Sequence, residues 1–217
     1  MNSEVSRVEV NEITPLRELH RQAMNCQIMH DSFPRRGFSD PYLIRVEGRI
    51  AGYGLVANQH WPETVHEFYP LPAYRPAALP IFRQLLEVSQ ATQILAQTND
   101  RLLLLMLYDC AANITGDTIL FEDAFTTHLI CPTGVFRKVT EADKGRLEEQ
   151  KLDPGSEWLI ESEGVPVATG GVTFHYNPPL GDLYMGVSEL HRQRGFGSYM
   201  VQELKRFAYE ICTEPFF

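Results

Sequence analysis

Apolar residues recur at helical spacing near the end of the chain. Met200, Leu204, Phe207 and Ile211 follow one another at intervals of four, three and four positions, which places them on one face of an α-helix. A short apolar run at 183–187 precedes this helix and has the length and composition of a strand. The pattern predicts a strand, a loop and then an amphipathic helix over about 195–210.

Two other segments have a strand-like pattern and resemble each other. Residues 42–48 and 158–164 match in register at an offset of 116, and the match resumes at 117 after one inserted residue. Each segment contains a Glu-Gly pair that can supply the positive φ of a tight turn, so each predicts two strands joined as a hairpin. Chance similarity is the alternative, but the neighbouring segments follow in the same order in both halves.

A helix is predicted before each hairpin, and a strand and a helix after it. Thr14 followed by proline and Thr140 followed by acidic residues are both typical of helix starts. The elements predicted after the hairpins are strands at 65–69 and 182–188 and helices at 77–89 and 195–210. The chain is therefore predicted to contain two related units, at 1–132 and 133–217.

The second predicted unit is shorter than the first. The first continues with a strand at 92–96, a helix at 101–111, and strands at 118–121 and 126–130. The second has only residues 211–217 after its helix, so a final strand and helix, about 40 residues in all, are expected to be missing. Either the chain is a fragment or the second unit is built differently.

Composition narrows the class of protein. Of the 217 residues, 44% are hydrophobic and 22% are charged, as in soluble globular proteins. The formal net charge of −9 argues against nucleic acid as the main partner, because phosphate backbones bind basic surfaces. The longest apolar run is too short for a membrane span, the N-terminus lacks a secretory signal, and the four scattered cysteines predict no metal site. We therefore expect a cytoplasmic protein with no nucleic-acid or membrane partner.

The sharpest motif is the loop that leads into the predicted helix at 195–210. It contains Arg192, Gln193, Arg194, Gly195, Phe196, Gly197 and Ser198. A glycine-bearing loop at a helix N-terminus presents free N–H groups and the positive end of the helix dipole, which together suit a phosphate group. The glycines allow the backbone to approach a pyrophosphate closely, and the arginines add charge.

Three other phosphate or nucleic-acid motifs fit this loop less well. A P-loop needs Gly-Lys-Ser/Thr, but no lysine occurs between Lys151 and Lys205. A dinucleotide fingerprint needs a glycine where Met200 stands. Arg-Gly-Phe-Gly also begins the RNP1 box of RNA-binding domains, but in that box aromatic residues continue along a strand, whereas here the pattern becomes helical.

The pattern Arg-x-x-Gly-x-Gly between a strand and an amphipathic helix resembles the acyl-CoA-binding motif of the GNAT superfamily of N-acyltransferases. Arg192, Gly195 and Gly197 match the motif, and the order of elements around them also resembles that fold. The resemblance implies a mixed α/β fold, in which a largely antiparallel central sheet carries helices on both faces, arranged as two GNAT-like units in tandem.

The resemblance also implies a site and a reaction. The amides of 193–198 would hold the pyrophosphate of acetyl-CoA, and the backbone of Met185, Gly186 and Val187 would pair with the pantetheine arm like an added strand. The implied reaction is transfer of the acetyl group to an amine, without a metal. The sequence leaves open which amine is the acceptor and what the oligomeric state is.

No catalytic residue is assigned by the sequence. In this family the base is often a carboxylate on the strand before the motif, but 184–187 contains none, and Asp182 and Glu189 lie at its two ends. His175 is a further candidate base, for which the alternative is a plain turn residue.

The first unit departs from the motif. Ala78 and Pro80 stand where the second unit has its two glycines, so a Cβ is added and an N–H donor is lost. The first unit is therefore predicted to be a degenerate copy that holds no pyrophosphate. Together with the elements missing from the second unit, this keeps another function open, that of a catalytically silent acyl-CoA-binding or protein-interaction module.

Overall fold

The structure is a computed structural model that describes residues 2–24, 29–116, 118–119, 127–131 and 133–211, together with the backbone of 214–216. The chain divides into two compact units, Met1–Asp117 and Thr118–Phe217. Each unit contains its own five-stranded sheet. The division between 117 and 118 falls before the boundary predicted between 132 and 133.

The first sheet has the order β1-β2-β3-β4-β5, with antiparallel pairs except for the parallel pair β4 and β5. Its strands are β1 (Ser3–Arg7), β2 (Ser39–Val46), β3 (Arg49–Ala57), β4 (Thr64–Pro70) and β5 (Gln93–Ile94). The helices of this unit are α1 (Val10–Ala23), α2 (Ser32–Arg35), α3 (Ala78–Ser89) and α4 (Arg101–Cys110).

The second sheet repeats this arrangement in the order β10-β9-β8-β7-β6, again with one parallel pair, β9 and β10. Its strands are β6 (Val135–Lys138), β7 (Trp158–Ser162), β8 (Val165–Thr173), β9 (Leu180–Val187) and β10 (Glu214–Phe216). The helices are α5 (Lys144–Glu149) and α6 (Phe196–Ile211).

Helices cover both faces of each sheet, which confirms the predicted fold class. In the first unit, α3 and α4 pack on one face around Phe68 and Phe82, and α1 packs on the other around Leu43 and Tyr53. Successive strand residues point to opposite faces, so each strand supplies side chains to both layers. In the second unit, α6 covers one face and α5 the other.

The two hairpins are built alike. Glu47 and Gly48 have φ of 50° and 77°, and Glu163 and Gly164 have φ of 53° and 80°, as a two-residue turn with two left-handed positions requires. Both hairpins also contain a register shift three residues before the turn, between Ile44 and Arg45 and between Ile160 and Glu161. The hairpins predicted from the Glu-Gly pairs are therefore confirmed. The two hairpins also share a register shift at equivalent positions.

Helix α1 has its cap at Glu9 and its first residue at Val10, five residues earlier than the predicted cap Thr14 and first residue Pro15. The backbone N–H of Glu9 donates to Glu12 Oε1 at 3.2 Å, so an acidic pair caps this helix in place of Thr14. The Thr14 hydroxyl instead donates to the carbonyl of Val10 at 3.0 Å, inside the first turns. The prediction of a start at Thr14 was wrong because a glutamate at the cap position is a weaker sequence signal than Thr-Pro.

The end of each sheet also differs from the sequence analysis. A strand, β10, follows α6, where the sequence analysis expected none. Strand β5 is only two residues long, within the strand predicted at 92–96. Of the strands predicted at 118–121 and 126–130, residues 118–119 and 127–130 are irregular and the others lie outside the described residues. Within the described part of the chain, no helix is long and apolar enough to cross a membrane.

Candidate acyl-CoA site

Strand β9 has one edge that is only partly covered. The N–H of Ser188 donates to the carbonyl of Val167 at 3.0 Å, so by alternation Gly186 and Tyr184 also direct their peptide groups toward β8. Leu183, Met185 and Val187 direct theirs toward the other edge. There β10 pairs only with Leu180–Asp182, and no described strand continues alongside the rest of β9. We call this stretch, 183–187, the open edge.

The open edge refines the expected site. The peptide groups of Met185 face outward and those of Gly186 face β8, so an arm that pairs with 185–187 like an added strand would bond alternate residues. The carbonyl of Val187 accepts a hydrogen bond from Arg192 Nε at 3.3 Å, which ties the following loop to the end of the strand. Among the three predicted strand residues, Met185 is therefore the one whose N–H and C=O can both pair with an extended ligand.

The loop after β9 turns sharply into α6. A short 3₁₀-helix, Glu189–His191, leads to Gln193 with φ of 58° and Gly195 with φ of 85°. Both residues lie in the left-handed region, which glycine adopts freely. A residue with a side chain at position 195 would adopt this conformation only with strain. The N–H of Tyr199 bonds the carbonyl of Gly195 at 3.0 Å, so the first N–H groups of α6 have no partner within the helix. The turn thus directs free donors and the positive helix end toward the end of the open edge.

Gly197 has a packing role that the sequence did not reveal. A Cβ built on this residue would lie 2.7 Å from Met185 Cε and 3.4 Å from Val187 Cγ2. The first turn of α6 therefore sits directly against β9, and the missing side chain permits this contact. Close approach of helix and strand brings the free amides of the loop near the open edge.

Of the remaining loop residues, Phe196 packs in the core and the two arginines carry positive charge. Phe196 is fully buried in the core of the second unit, so only its backbone can face a ligand. The Arg194 guanidinium lies over the Phe196 ring, 5.6 Å from its centre, and the exposed Arg192 adds a second cation. The ten predicted residues therefore lie in two short segments, 185–187 in the second half of β9 and 192–198 in the loop and the start of α6.

A histidine and an aspartate meet at the other end of the open edge. His175 Nε2 lies 2.7 Å from Asp182 Oδ2, and the Thr173 hydroxyl donates to the same oxygen at 3.5 Å. Among the described residues, no group of three or more His, Cys, Asp or Glu side chains is placed to hold a metal ion. Cys110 and Cys131 are free thiols, and the other two cysteines lie outside the described residues.

The equivalent loop of the first unit has a different structure. A 3₁₀-helix, Pro72–Ala77, runs directly into α3, and the N–H of Ala78 is bonded to the carbonyl of Arg75. Pro80, in the first turn of α3, contributes no N–H at all. The Arg75 guanidinium lies over the Tyr69 ring at 5.7 Å. The donors that form a cradle in the second unit are thus bonded or absent here.

The first unit instead contains a buried polar cluster that the sequence analysis missed. Arg17 donates to both oxygens of Glu67, and the Tyr53 hydroxyl donates to Glu67 Oε2 at 2.8 Å. His20 connects this cluster to Asp100, with Nδ1 2.9 Å from the Tyr53 hydroxyl and Nε2 3.4 Å from Asp100 Oδ2. The available signal was Glu67, the one carboxylate in the fully buried strand β4, because a buried carboxylate needs a partner.

Electrostatics in this cluster favour the ion pair. Burial opposes ionisation of Glu67, but attraction and hydrogen bonding to Arg17 outweigh it and lower its pKa to about 2. Burial and the neighbouring Glu67 carboxylate raise the pKa of Tyr53 well above its ordinary value. A cavity of about 20 Å³ beside His20, His66, Glu67 and Asp100 has room for about one water molecule. The first unit therefore encloses its polar residues instead of presenting them.

Comparison with known proteins agrees with this architecture. Residues 10–124 match the family model described as Acetyltransferase (GNAT) domain, and residues 121–214 match the one described as Acetyltransferase (GNAT) family. A search among curated proteins finds no match.

Solved structures share the fold at low sequence identity. An acetyltransferase of the GNAT family from Colwellia psychrerythraea aligns with a TM-score of 0.76 and 11% identity, over 98% of this chain and 88% of the other. A GCN5-related N-acetyltransferase from Sphaerobacter thermophilus aligns with a TM-score of 0.61 and 15% identity, over 99% and 85%. A tandem GNAT protein from the clavulanic acid biosynthesis pathway aligns with a TM-score of 0.54 and 10% identity, over 99% and 89%.

The two family-model matches follow one another along the chain, and the two sheets have the same strand order. The first match alone covers more than half of the chain. The chain belongs to the GNAT family of acetyltransferases, with two GNAT-like units in tandem.

Proposed function

We propose that the second unit binds acetyl-CoA and transfers its acetyl group to an amine. The observation that carries the proposal is the open edge of β9, which ends at a helix N-terminus with free amides. The pyrophosphate would bind to the amides of 193–198, where the helix dipole and two arginines favour negative charge. The pantetheine arm would pair with the N–H and C=O of Met185 as an added strand does.

The chemistry asked of the protein is modest. A thioester is an activated acyl donor, so the protein needs to place an amine beside it, remove a proton from the amine and stabilise the oxyanion that develops. The outward N–H groups of the open edge are donors of the type that stabilise an oxyanion. Because the edge is part of a sheet, these donors are held rigidly.

We further propose that only one acetyl-CoA binds per chain. In the first unit the N–H of Ala78 is already bonded and Pro80 has none, which leaves that loop without a cradle.

Calorimetric titration with acetyl-CoA tests the proposal. Wild type should bind with a stoichiometry of one, and Gly195→Asp should abolish the heat, because it adds a side chain at φ of 85° and a negative charge beside the phosphates. Gly145→Asp is the matched control, since a Cβ at Gly145 meets no atom within 4 Å and the residue lies in α5. Equal heats for wild type and Gly195→Asp would contradict the site.

An assay for acetylated amine separates an enzyme from a silent binding module. Product formed by wild type and lost in Gly195→Asp supports the transferase. Binding without any product, over a panel of small amines, peptides and aminoglycosides, supports the silent module.

A further inference from the structure

The contact between His175 and Asp182 has the geometry of a proton-accepting pair. Asp182 Oδ2 lies 2.7 Å from His175 Nε2, so the carboxylate accepts the proton on that nitrogen. In a neutral ring this leaves the lone pair on Nδ1. The His175 side chain is 39% exposed and that of Asp182 is 21% exposed, so the imidazole is the more accessible member of the pair. Such a pair holds the ring in one tautomer, as an orienting carboxylate does for a catalytic histidine.

The pair lies where the open edge begins. Asp182 is the last residue of β9 that pairs with β10, and Leu183 is the first residue beyond that pairing. Leu183 packs in the core with α6, so Asp182 projects from the opposite face of the sheet. The loop at 193–198 lies beyond the far end of the open edge. The edge therefore runs from the proposed phosphate site to the histidine pair.

The length of the pantetheine arm matches this edge. About twelve covalent bonds separate the phosphate ester oxygen from the thioester sulfur, which equals about four residues of extended chain, or about 13 Å. An arm that starts beside Val187 and follows β9 backward for four residues reaches Leu183. The sulfur, and the carbonyl attached to it, would then lie next to Asp182 and its histidine.

We propose that His175, oriented by Asp182, is the general base of the acetyl transfer; this inference rests on the proposed function. The amine nitrogen forms a bond to the thioester carbonyl carbon, and Nδ1 of His175 takes a proton from that nitrogen. The C–S bond then breaks, the sulfur leaves with the electron pair as thiolate and takes a proton from solvent, and His175 returns its proton to solvent. Asp182 is a positioning residue that keeps the proton on Nε2.

Nuclear magnetic resonance of the histidine rings tests the placement without requiring turnover. The signals of His175 are identified by their loss in His175→Gln, and the expected tautomer carries the proton on Nε2. Acetyl-CoA should shift the His175 signals in wild type and leave the exposed His128 unchanged. If calorimetry shows that acetyl-CoA binds but the His175 signals stay in place, this inference is overturned and the proposed function stands. If acetyl-CoA does not bind at all, the proposed function fails and this inference with it.

Steady-state kinetics test the catalytic role. With the amine that wild type acetylates fastest, His175→Gln should lower kcat by about 100-fold or more at unchanged KM for acetyl-CoA. Asp182→Asn should lower kcat and move the ring proton to Nδ1, because an amide can donate to Nε2. His128→Gln is the control and should match wild type. Unchanged kcat in His175→Gln would overturn the assignment, as would a wild type that binds acetyl-CoA and acetylates no amine.

Discussion

Arg17 and Glu67 form a bidentate ion pair inside the first unit, with Nε to Oε2 at 2.9 Å and Nη2 to Oε1 at 2.7 Å. Glu67 is on β4 and Arg17 on α1, so the pair joins a helix to the sheet it covers. Both side chains are almost fully buried, and Asp31, at the N-cap of α2, approaches Arg17 at 3.0 Å. Three elements of the first unit are thus fixed by one guanidinium.

Removing the charge of Glu67 should destabilise the first unit strongly. Glu67→Gln removes the carboxylate that neutralises the buried Arg17 guanidinium. Removing one partner of a buried ion pair lowers the free energy of unfolding by about 3 to 5 kcal/mol. Urea denaturation of the full chain, followed by far-ultraviolet circular dichroism, measures the change. Glu87→Gln, on the exposed side of α3, should stay within about 0.5 kcal/mol of wild type. Equal midpoints for the two variants would contradict the ion pair's role.

Stability should fall in mild acid because of His66. Burial, the largest cause, lowers the pKa of His66 to about 4. The unfolded chain therefore binds the proton more tightly, so the contribution of His66 is complete above about pH 6.5 and is lost as the pH falls toward 4. Between pH 7 and pH 5 this one group should cost about 2 kcal/mol.

The variant His66→Gln isolates this effect. Glutamine has no charge to gain and can still bond the Ser39 hydroxyl, which lies 2.7 Å from His66 Nε2. Denaturation at pH 7 and pH 5 should therefore show a smaller loss in the variant than in wild type. The Glu67 carboxyl does not interfere, since its pKa of about 2 and its ordinary value of 4.5 both lie below this range. Parallel losses in the two proteins would contradict the assignment.

Two glycines of the second unit should respond oppositely to alanine. A Cβ at Gly170 would lie 2.5 Å from the backbone carbonyl oxygen of Tyr184 and 2.8 Å from Leu204 Cδ1, so Gly170→Ala should cost about 1 to 3 kcal/mol by overpacking. Gly145 lies in α5 with open space around it, so Gly145→Ala should add about 0.5 kcal/mol. Thermal melts compare the two, and a Gly170→Ala protein as stable as Gly145→Ala would contradict the close approach of β8 and β9.

Arg192 should contribute to acetyl-CoA affinity through charge. A charge-assisted hydrogen bond to phosphate is worth about 1.5 to 3 kcal/mol, so Arg192→Ala should weaken binding by about 10- to 150-fold. The affinity is measured by calorimetry at fixed ionic strength. Arg206→Ala is the control, because Arg206 is exposed on α6 and pairs with Glu203 at 2.7 Å. Similar affinities for the two variants would remove Arg192 from the site.

The sequence predicted best where one residue type is required by the backbone. Gly48 and Gly164 stand at left-handed positions of hairpin turns, and Gly195 stands at another before α6. These positions leave little choice of residue, so the local sequence reports the local structure. The loop and both hairpins were therefore predictable.

Structure was predicted poorly from the sequence where contacts between residues far apart in the chain determine it. The amphipathic face of α6 is one example: Met200 and Leu204 are buried as predicted, but Ile211 is 47% exposed and Ala208 is buried instead. Arg17 and Glu67 are another, since 50 residues separate two side chains that meet in the core. Strand β10 needs the edge of β9 to form at all, and three residues carry too little pattern to reveal it.

The open edge has a consequence for handling the protein. Unpaired N–H and C=O groups along a sheet edge are a template for any extended chain, including the same edge of a second molecule. An extended ligand on β9 would occupy these groups and remove the template. Solutions of the ligand-free protein should therefore aggregate more readily than solutions that contain acetyl-CoA, and colloidal stability during purification should depend on cosubstrate supply.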